Sequence, residues 1–472
     1  MRRAAALIAA PAAALLALPA TASAHGIVQR EDLPIPHVVF AWAVAGVLVV
    51  SFVALGALWP RPRLEDPAWR ALPAGRVLGS RAWDVVLGSA GVLLLAVVLG
   101  AGWIAGGTAL DNLAPTFILI TFWVGLAFAS VLFGDVFALL SPWRALGRGT
   151  GWLVHGVLRR PVRHAAYPER LGRYPAVAVL LIFGWIELVS GWGDAPATLA
   201  SAAAGYTVIT LAGQAVFGVE AWTRRAEGFA VYYNLLSRIS IWERRARVLG
   251  VRPPLAGLPR MERPVGTVAF VLTMIGTVTF DGLGQGPAWA SLRGVLVDGF
   301  TAVGISAEAA PKWASTVGLV ACVALIAGFY RLGISGARSV GGKLGEAELR
   351  VAFIHTLVPI AAVYIFAHYF SFLLFEGQGV IYLASDPFGQ GWDLFGTAST
   401  GIDYSLISQT GTWYVQVAFV CVGHVSALVL AHDRALALYD DVKLAVRSQY
   451  WMLGVMVGFT SLALWLLAQA SA

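Results

Sequence analysis

The chain has 472 residues, of which 58% are hydrophobic and only 12% charged, with a mean hydropathy of +0.74. Soluble domains carry about 25% charged residues, so this composition excludes a soluble enzyme and points to a polytopic membrane protein. The net charge of +7 does not argue for nucleic acid, because the basic residues lie in the loops between apolar runs.

The chain opens on "MRRAAALIAAPAAALLALPATASAHG", which has the form of a secretory signal. Arg2 and Arg3 precede a short Ala/Leu core broken by Pro11 and Pro19, and Ala22-Ser23-Ala24 supplies small residues for cleavage. A signal peptide over 1–24 would leave His25 as the mature N-terminus. Its free amine, its own imidazole and a second histidine such as His37 would suit copper.

Ten further apolar runs predict transmembrane helices at about 38–59, 83–105, 114–140, 175–192, 195–218, 265–281, 313–334, 351–375, 411–432 and 451–469. The expected fold class is all-α: a polytopic transmembrane bundle forming a single membrane domain over 25–472. Apart from Arg2, Arg3, Arg30, Arg293 and Lys312, every Lys and Arg falls at one end, in 60–82, 141–174, 219–264, 331–350 or 433–450. By the positive-inside rule that end is cytoplasmic and the mature N-terminus is outside, as in a multi-pass protein of a bacterial inner membrane. In the longest of these loops, "GFAVYYNLLSRISIWERRARVLG" interleaves aromatics with arginines and predicts a helix lying in the membrane interface. The outer loops 282–312 and 376–410 are candidates for a lid. The two cysteines, Cys322 and Cys421, are too few for a disulfide framework or a thiolate zinc site.

Ionisable residues inside apolar runs are the candidates for chemistry, because a charge at mid-membrane costs about 2.5–3.5 kcal/mol even on lenient scales. Glu187 in "LLIFGWIELVSGW", Asp281 in "GTVTFDGLG", and His368 and Glu376 in "HTLVPIAAVYIFAHYFSFLLFEGQ" all fall towards the outer side. Imidazole with carboxylates suits zinc, iron or manganese, and a metal-bound water becomes a nucleophile near neutral pH. His424, in "GHVSALVLAHDRA", lies deeper in the ninth run. His355, His432, Asp433, Asp135 and Glu220 form a second set at the inner side, where pairing with loop arginines is sufficient explanation. Tyr364, Tyr369 and Phe370 are expected to pack, and a membrane histidine can do no more than donate to a neighbouring carbonyl.

Several stretches, among them "HGIVQREDLPIP", "SPWRALGR", "TVTFDG", "HTLVPIAAVYIFAHYFSFLLFEGQ" and "GHVSALVLAHDRAL", resemble bacterial integral membrane proteins of the fenitrothion hydrolase family. The resemblance implies hydrolysis of organophosphorus triesters at the membrane and carries no residue roles with it. Two readings follow. In the first, a metal-dependent hydrolase, His368, Glu187, Asp281, His424 and His25 are metal ligands. Glu376 and Asp281 act on the bound water, and a lipophilic small molecule enters from the bilayer. In the second, the outer groups capture a metal ion or a proton, His424 relays it at mid-depth, and His355 with His432 releases it inside. The expected cofactor is a divalent metal ion (zinc, iron, manganese or copper), with no nucleotide cofactor; the expected partners are the lipid bilayer and a lipophilic small molecule or metal ion. A third reading makes the polar residues purely structural.

Overall fold

The computed structural model describes residues 37–159 and 163–469. The expected signal peptide 1–24 and His25, with its copper chelate, lie outside these residues. The described chain is mostly helical. Its main helices are α1 His37–Leu58, α2 Arg81–Ile104, α3 Leu113–Phe133, α4 Tyr174–Leu188, α5 Pro196–Phe217, α6 Gly228–Ser237, α7 Thr267–Gly284, α8 Ala310–Ser339, α9 Glu346–Leu374, α10 Gln409–Leu438 and α11 Tyr450–Gln469. By length and composition, α2, α3, α5, α7, α8, α9 and α10 can each cross a membrane. The other three expected runs fall on α1, α4 and α11, of which α4 and the Trp42–Leu58 part of α1 are shorter apolar helices. The chain is a multi-pass helical membrane protein.

Local sequence explains the irregular stretches. Proline is the first residue of α5 and the second of α4 and α8, where its missing N–H costs no intrahelical bond. In α9 the helix tightens to a 3₁₀ turn at Ile354–Leu357, just before Pro359, whose ring disfavours regular helix in the preceding turn. The middle of α3 is wider: Thr116–Gly125 is π-helical, a form that recurs at functional sites.

Two spans form the centre. The apolar window of α7 is 78% buried and that of α9 61%, against 28% for the peripheral α2. Helices approach closely where a glycine removes the side chain, as expected when packing and not hydrophobicity drives association in lipid. A Cβ on Gly423 of α10 would come within 2.1 Å of Val363 on α9, so only glycine allows that crossing.

At the arginine-rich end the loops are bound together. Strands β1 Arg70–Ala71, β2 Trp242–Arg245 and β3 Val248–Val251 form an antiparallel sheet in the order β1-β3-β2, with Arg70 opposite Val251 and Trp242 opposite Val251. The stretch expected to be an interfacial helix is therefore a hairpin over its second half. Its first half, α6, is a buried helix: every residue from Gly228 to Ser237 except Asn234 is buried. The reason is in the sequence: "GFAVYYNLLS" is apolar on all sides, and its arginines begin only at Arg238. Glu227 caps α6, accepting from Phe229 N at 3.0 Å and Ala230 N at 2.8 Å, and also from the Tyr206 hydroxyl. At the opposite end, Pro287–Ala302 is an additional helix whose Trp289 packs edge-on against Phe280 of α7, 5.2 Å between ring centres.

Candidate functional site

The two central spans bring Asp281 and His368 together. His368 Nε2 lies 2.8 Å from Asp281 Oδ2, and the hydroxyl of Tyr369 donates to the same oxygen at 2.6 Å. Successive residues of α9 thus straddle one carboxylate of α7. Asp281 is 9% exposed and Tyr369 8%, so water competes little for these bonds. With Nε2 facing a carboxylate, that nitrogen is the donor. Among the described residues Nδ1 has no hydrogen-bond partner, and the ring keeps 19% of its surface exposed. An acid fixes the ring and one nitrogen is left available, the geometry of an oriented general base.

Glu187, near the end of α4, joins this pair without touching it. It is close enough to Asp281 and to Tyr232 for their charges to interact. It lines a small cavity of about 10 Å³ with Trp123, Thr277 and Tyr369, space for about one water molecule. Among the described residues no hydrogen bond is made to the Glu187 carboxylate. The Nε1 of Trp123 and the hydroxyl of Tyr232 are also buried without partners, and the two rings stack at 4.5 Å and 16°. Trp123 belongs to the π-helical part of α3, and Tyr232 to α6. The site therefore draws on α3, α4, α6, α7 and α9.

Other expected members are held elsewhere. Glu376 follows the end of α9 in a 3₁₀ turn and accepts from the Tyr404 hydroxyl at 3.0 Å. His424, fully buried, places Nδ1 2.8 Å from the Val420 carbonyl of its own helix, and its Nε2 has no partner. A ring turned towards its own helix does not reach Asp281. Among the described residues no three His, Cys, Asp or Glu side chains gather closely enough to hold a metal ion. Of the expected ligand set, His25 lies outside the described residues, and His368, Glu187, Asp281 and His424 reduce here to one imidazole on one carboxylate with a second carboxylate nearby. That donor set does not fit a metal centre.

The inner set is tied into hydrogen bonds and ion pairs. Asp433 accepts from Trp59 Nε1 at 2.9 Å, Arg63 N at 2.6 Å and Leu64 N at 3.1 Å, fastening the chain that leaves α1. His432 bonds the Trp59 carbonyl through Nε2 at 3.0 Å and meets Gln449 at Nδ1 at 3.3 Å. Asp135 accepts from Asn234 at 2.7 Å, and Glu220 pairs with Arg144 at 2.8 Å and Arg148 at 2.7 Å. His355 is fully buried, with Nδ1 3.4 Å from Arg263.

Sequence reasoning placed Tyr369 with the packing aromatics and missed Tyr232 and Trp123. A signal was present for Tyr369: a phenol in an apolar span needs a partner for its hydroxyl, and it adjoins His368. Tyr232 and Trp123 meet only through the docking of α6, which no local pattern reveals.

Fold and site together define a polytopic membrane protein with a buried imidazole–carboxylate pair at its centre. Compared with protein-family models, curated proteins and solved structures, the chain matches none. The resemblance to the fenitrothion hydrolase family therefore rests on the sequence phrases quoted above.

Proposed function

We propose that the protein is a proton-handling transporter of the bacterial inner membrane, oriented with its arginine-rich end in the cytoplasm. His368, Asp281, Tyr369 and Glu187 take up and pass the proton. The observation that carries this reading is the Asp281 carboxylate shared by His368 and Tyr369, with a second carboxylate, Glu187, unbonded nearby. One imidazolium compensates only one carboxylate. In a bundle interior the second is neutralised at least cost by a proton, so the site changes its proton count more readily than its fold. His368, whose side chain is 19% exposed, is the entry. Beyond Glu187, Tyr232 and Asn234 on α6 lead towards Asp135 and the arginine-rich end.

One observation favours the hydrolase reading as a second possibility: the free Nδ1 of an imidazole held by an acid can take a proton from water attacking a lipophilic ester. Against it stands the small size of the adjoining space, since drug-sized ligands occupy about 300–1,000 Å³.

Proteoliposomes carrying a pH-sensitive dye separate the two readings. Under an imposed potential the full-length protein should acidify or alkalinise the lumen, and Asp281→Asn should slow this tenfold or more. If protein-containing vesicles hold their pH as well as empty ones and instead cleave fenitrothion, the transport reading fails and the hydrolase reading stands.

A further inference from the structure

A second site lies at the arginine-rich end, outside the imidazole–carboxylate group. A cavity of about 670 Å³ opens between α2, the chain after α3, α6 and the β2–β3 hairpin. Eight arginines and five carboxylates line it. All five carboxylates are already engaged. Asp84 is bound by Arg244 at 2.6 Å, with Arg247 at 3.7 Å and Arg148 at 3.9 Å. Glu220 is held by Arg144 and Arg148. Glu243 takes Arg245 at 2.7 Å, Arg252 at 3.0 Å and Arg260 at 3.7 Å. Glu262 has Arg224 at 3.9 Å, and Asp135 accepts from Asn234 and Ala138 N.

Two arginines of the lining remain without a carboxylate partner among the described residues. Arg173 is only 4% exposed, yet its side chain makes a single hydrogen bond, from Nη1 to the Thr267 hydroxyl at 3.2 Å, and its Nε is buried with no partner. Arg238 reaches only the Asn234 amide oxygen, at 3.5 Å. The Glu262 carboxylate, beyond ion-pair distance, is still near enough to attract Arg173, and the Arg238 guanidinium is near enough to repel it. Thr223, which also lines the cavity, has a buried hydroxyl without a partner.

A contrast with Arg252 shows that burial here need not leave a charge unmatched. Arg252 is 5% exposed, but it is paired with Glu243 and also donates to the carbonyls of Ser237, Arg238 and Ser240. Burial draws both Arg173 and Arg252 down to about 10, which leaves each charged at neutral pH. An isolated buried cation is costly unless a counter-charge comes from outside the chain.

We infer that this cavity binds a phosphate-bearing anion, with Arg173 and Arg238 as the cationic clamp and Thr223 as an additional donor. Guanidinium forks match phosphate oxygens in geometry as well as charge. The volume lies within the range of small-ligand sites and leaves room for more than one phosphate group. The same chemistry is offered by a soluble phosphorylated molecule and by the headgroup of an anionic lipid.

Thermal unfolding of the full-length, detergent-purified protein tests this at constant ionic strength set with chloride. Inorganic pyrophosphate probes the soluble source, and dioctanoyl phosphatidylglycerol, with dioctanoyl phosphatidylcholine as control, probes the lipid source. The midpoint should rise saturably with at least one of the two anions, and Arg238→Gln should raise the half-saturating concentration tenfold or more. Arg173→Gln should do the same. Should that variant fail to fold, the half-buried Arg238 still decides the matter. Stabilisation by pyrophosphate assigns a soluble ligand, and stabilisation by phosphatidylglycerol alone assigns a lipid. If neither exceeds its chloride or phosphatidylcholine control, or if Arg238→Gln responds like the parent, the inference is overturned.

Discussion

His368 and His432 look alike in the sequence: each lies in an apolar span and each has an acid within reach. The structure sets them to different work. His368 meets an aspartate from another span and keeps one nitrogen free. His432 spends both nitrogens, one on the Trp59 carbonyl and one on Gln449, while Asp433 beside it binds three donors of the chain after α1. A fully satisfied polar group holds a fold together; a partly satisfied one retains the capacity to exchange a proton. The partner, more than the depth in the membrane, separates the two roles.

The largest effect expected from breaking this contrast is at the clamp. Asp433→Ala strands two backbone N–H groups and an indole N–H, and removal of one side of a buried charged network costs about 3–5 kcal/mol. Thermal unfolding in detergent should show a large drop; an unchanged midpoint would mean the clamp contributes little. Next comes His368→Ala, which should leave folding intact but reduce proton movement tenfold or more, about 1.4 kcal/mol in rate. His432→Ala should do the reverse, costing about 1–3 kcal/mol of stability through its unpaired neighbours with flux preserved per folded molecule. If the two histidine variants exchange phenotypes, the comparison is wrong in direction. Tyr369→Phe removes its bond to Asp281 and should cost about 0.5–1.5 kcal/mol, while shifting the pH profile of flux.

A separate, pH-dependent effect concerns Glu227, outside the spans. Burial pushes its carboxyl up to about 7, although Tyr206 and the N–H groups of Ala230 and Phe229 pull the other way. Folded protein therefore keeps this proton between about pH 4.5 and 7, where the unfolded chain has lost it. Its contribution is fully present below the unfolded value and is lost as pH rises through the folded one. Stability should thus fall by about 3 kcal/mol from pH 4.5 to 7 and flatten above. In Glu227→Gln the slope attributable to this residue should vanish from melting curves taken across that window.

The membrane spans were legible because apolar runs of that length have few other uses, and Asp281, His368 and Glu187 stood out because ionisable groups are costly there. Which acids would meet which histidine was not legible. That depends on how α7 and α9 face each other, and period alone does not set this. Glu376 was expected to act on a water held by His368, but the chain turns at Glu376–Gln378 and carries the carboxylate to Tyr404. The burial of α6 was readable in part: a stretch apolar all round belongs inside, and the arginines that suggested an interface lie beyond it, in the hairpin. The arginine cavity was hidden in a loop where basic residues had a sufficient explanation in topology.

The clamp at Asp433 also carries a consequence for biosynthesis. The carboxylate lies 370 residues beyond the Arg63 amide it holds. At translation rates of about 5–20 residues per second, the end of α1 would wait roughly 20–75 s before its fastening emerges from the ribosome. Throughout that interval α1 can sit in the bilayer, but the segment after it has nothing to secure its Trp59 indole and backbone amides. The first described helix is thus among the last to be locked, and a ribosome stalled before α10 would release a chain in which the loop after α1 is still exposed to proteolysis.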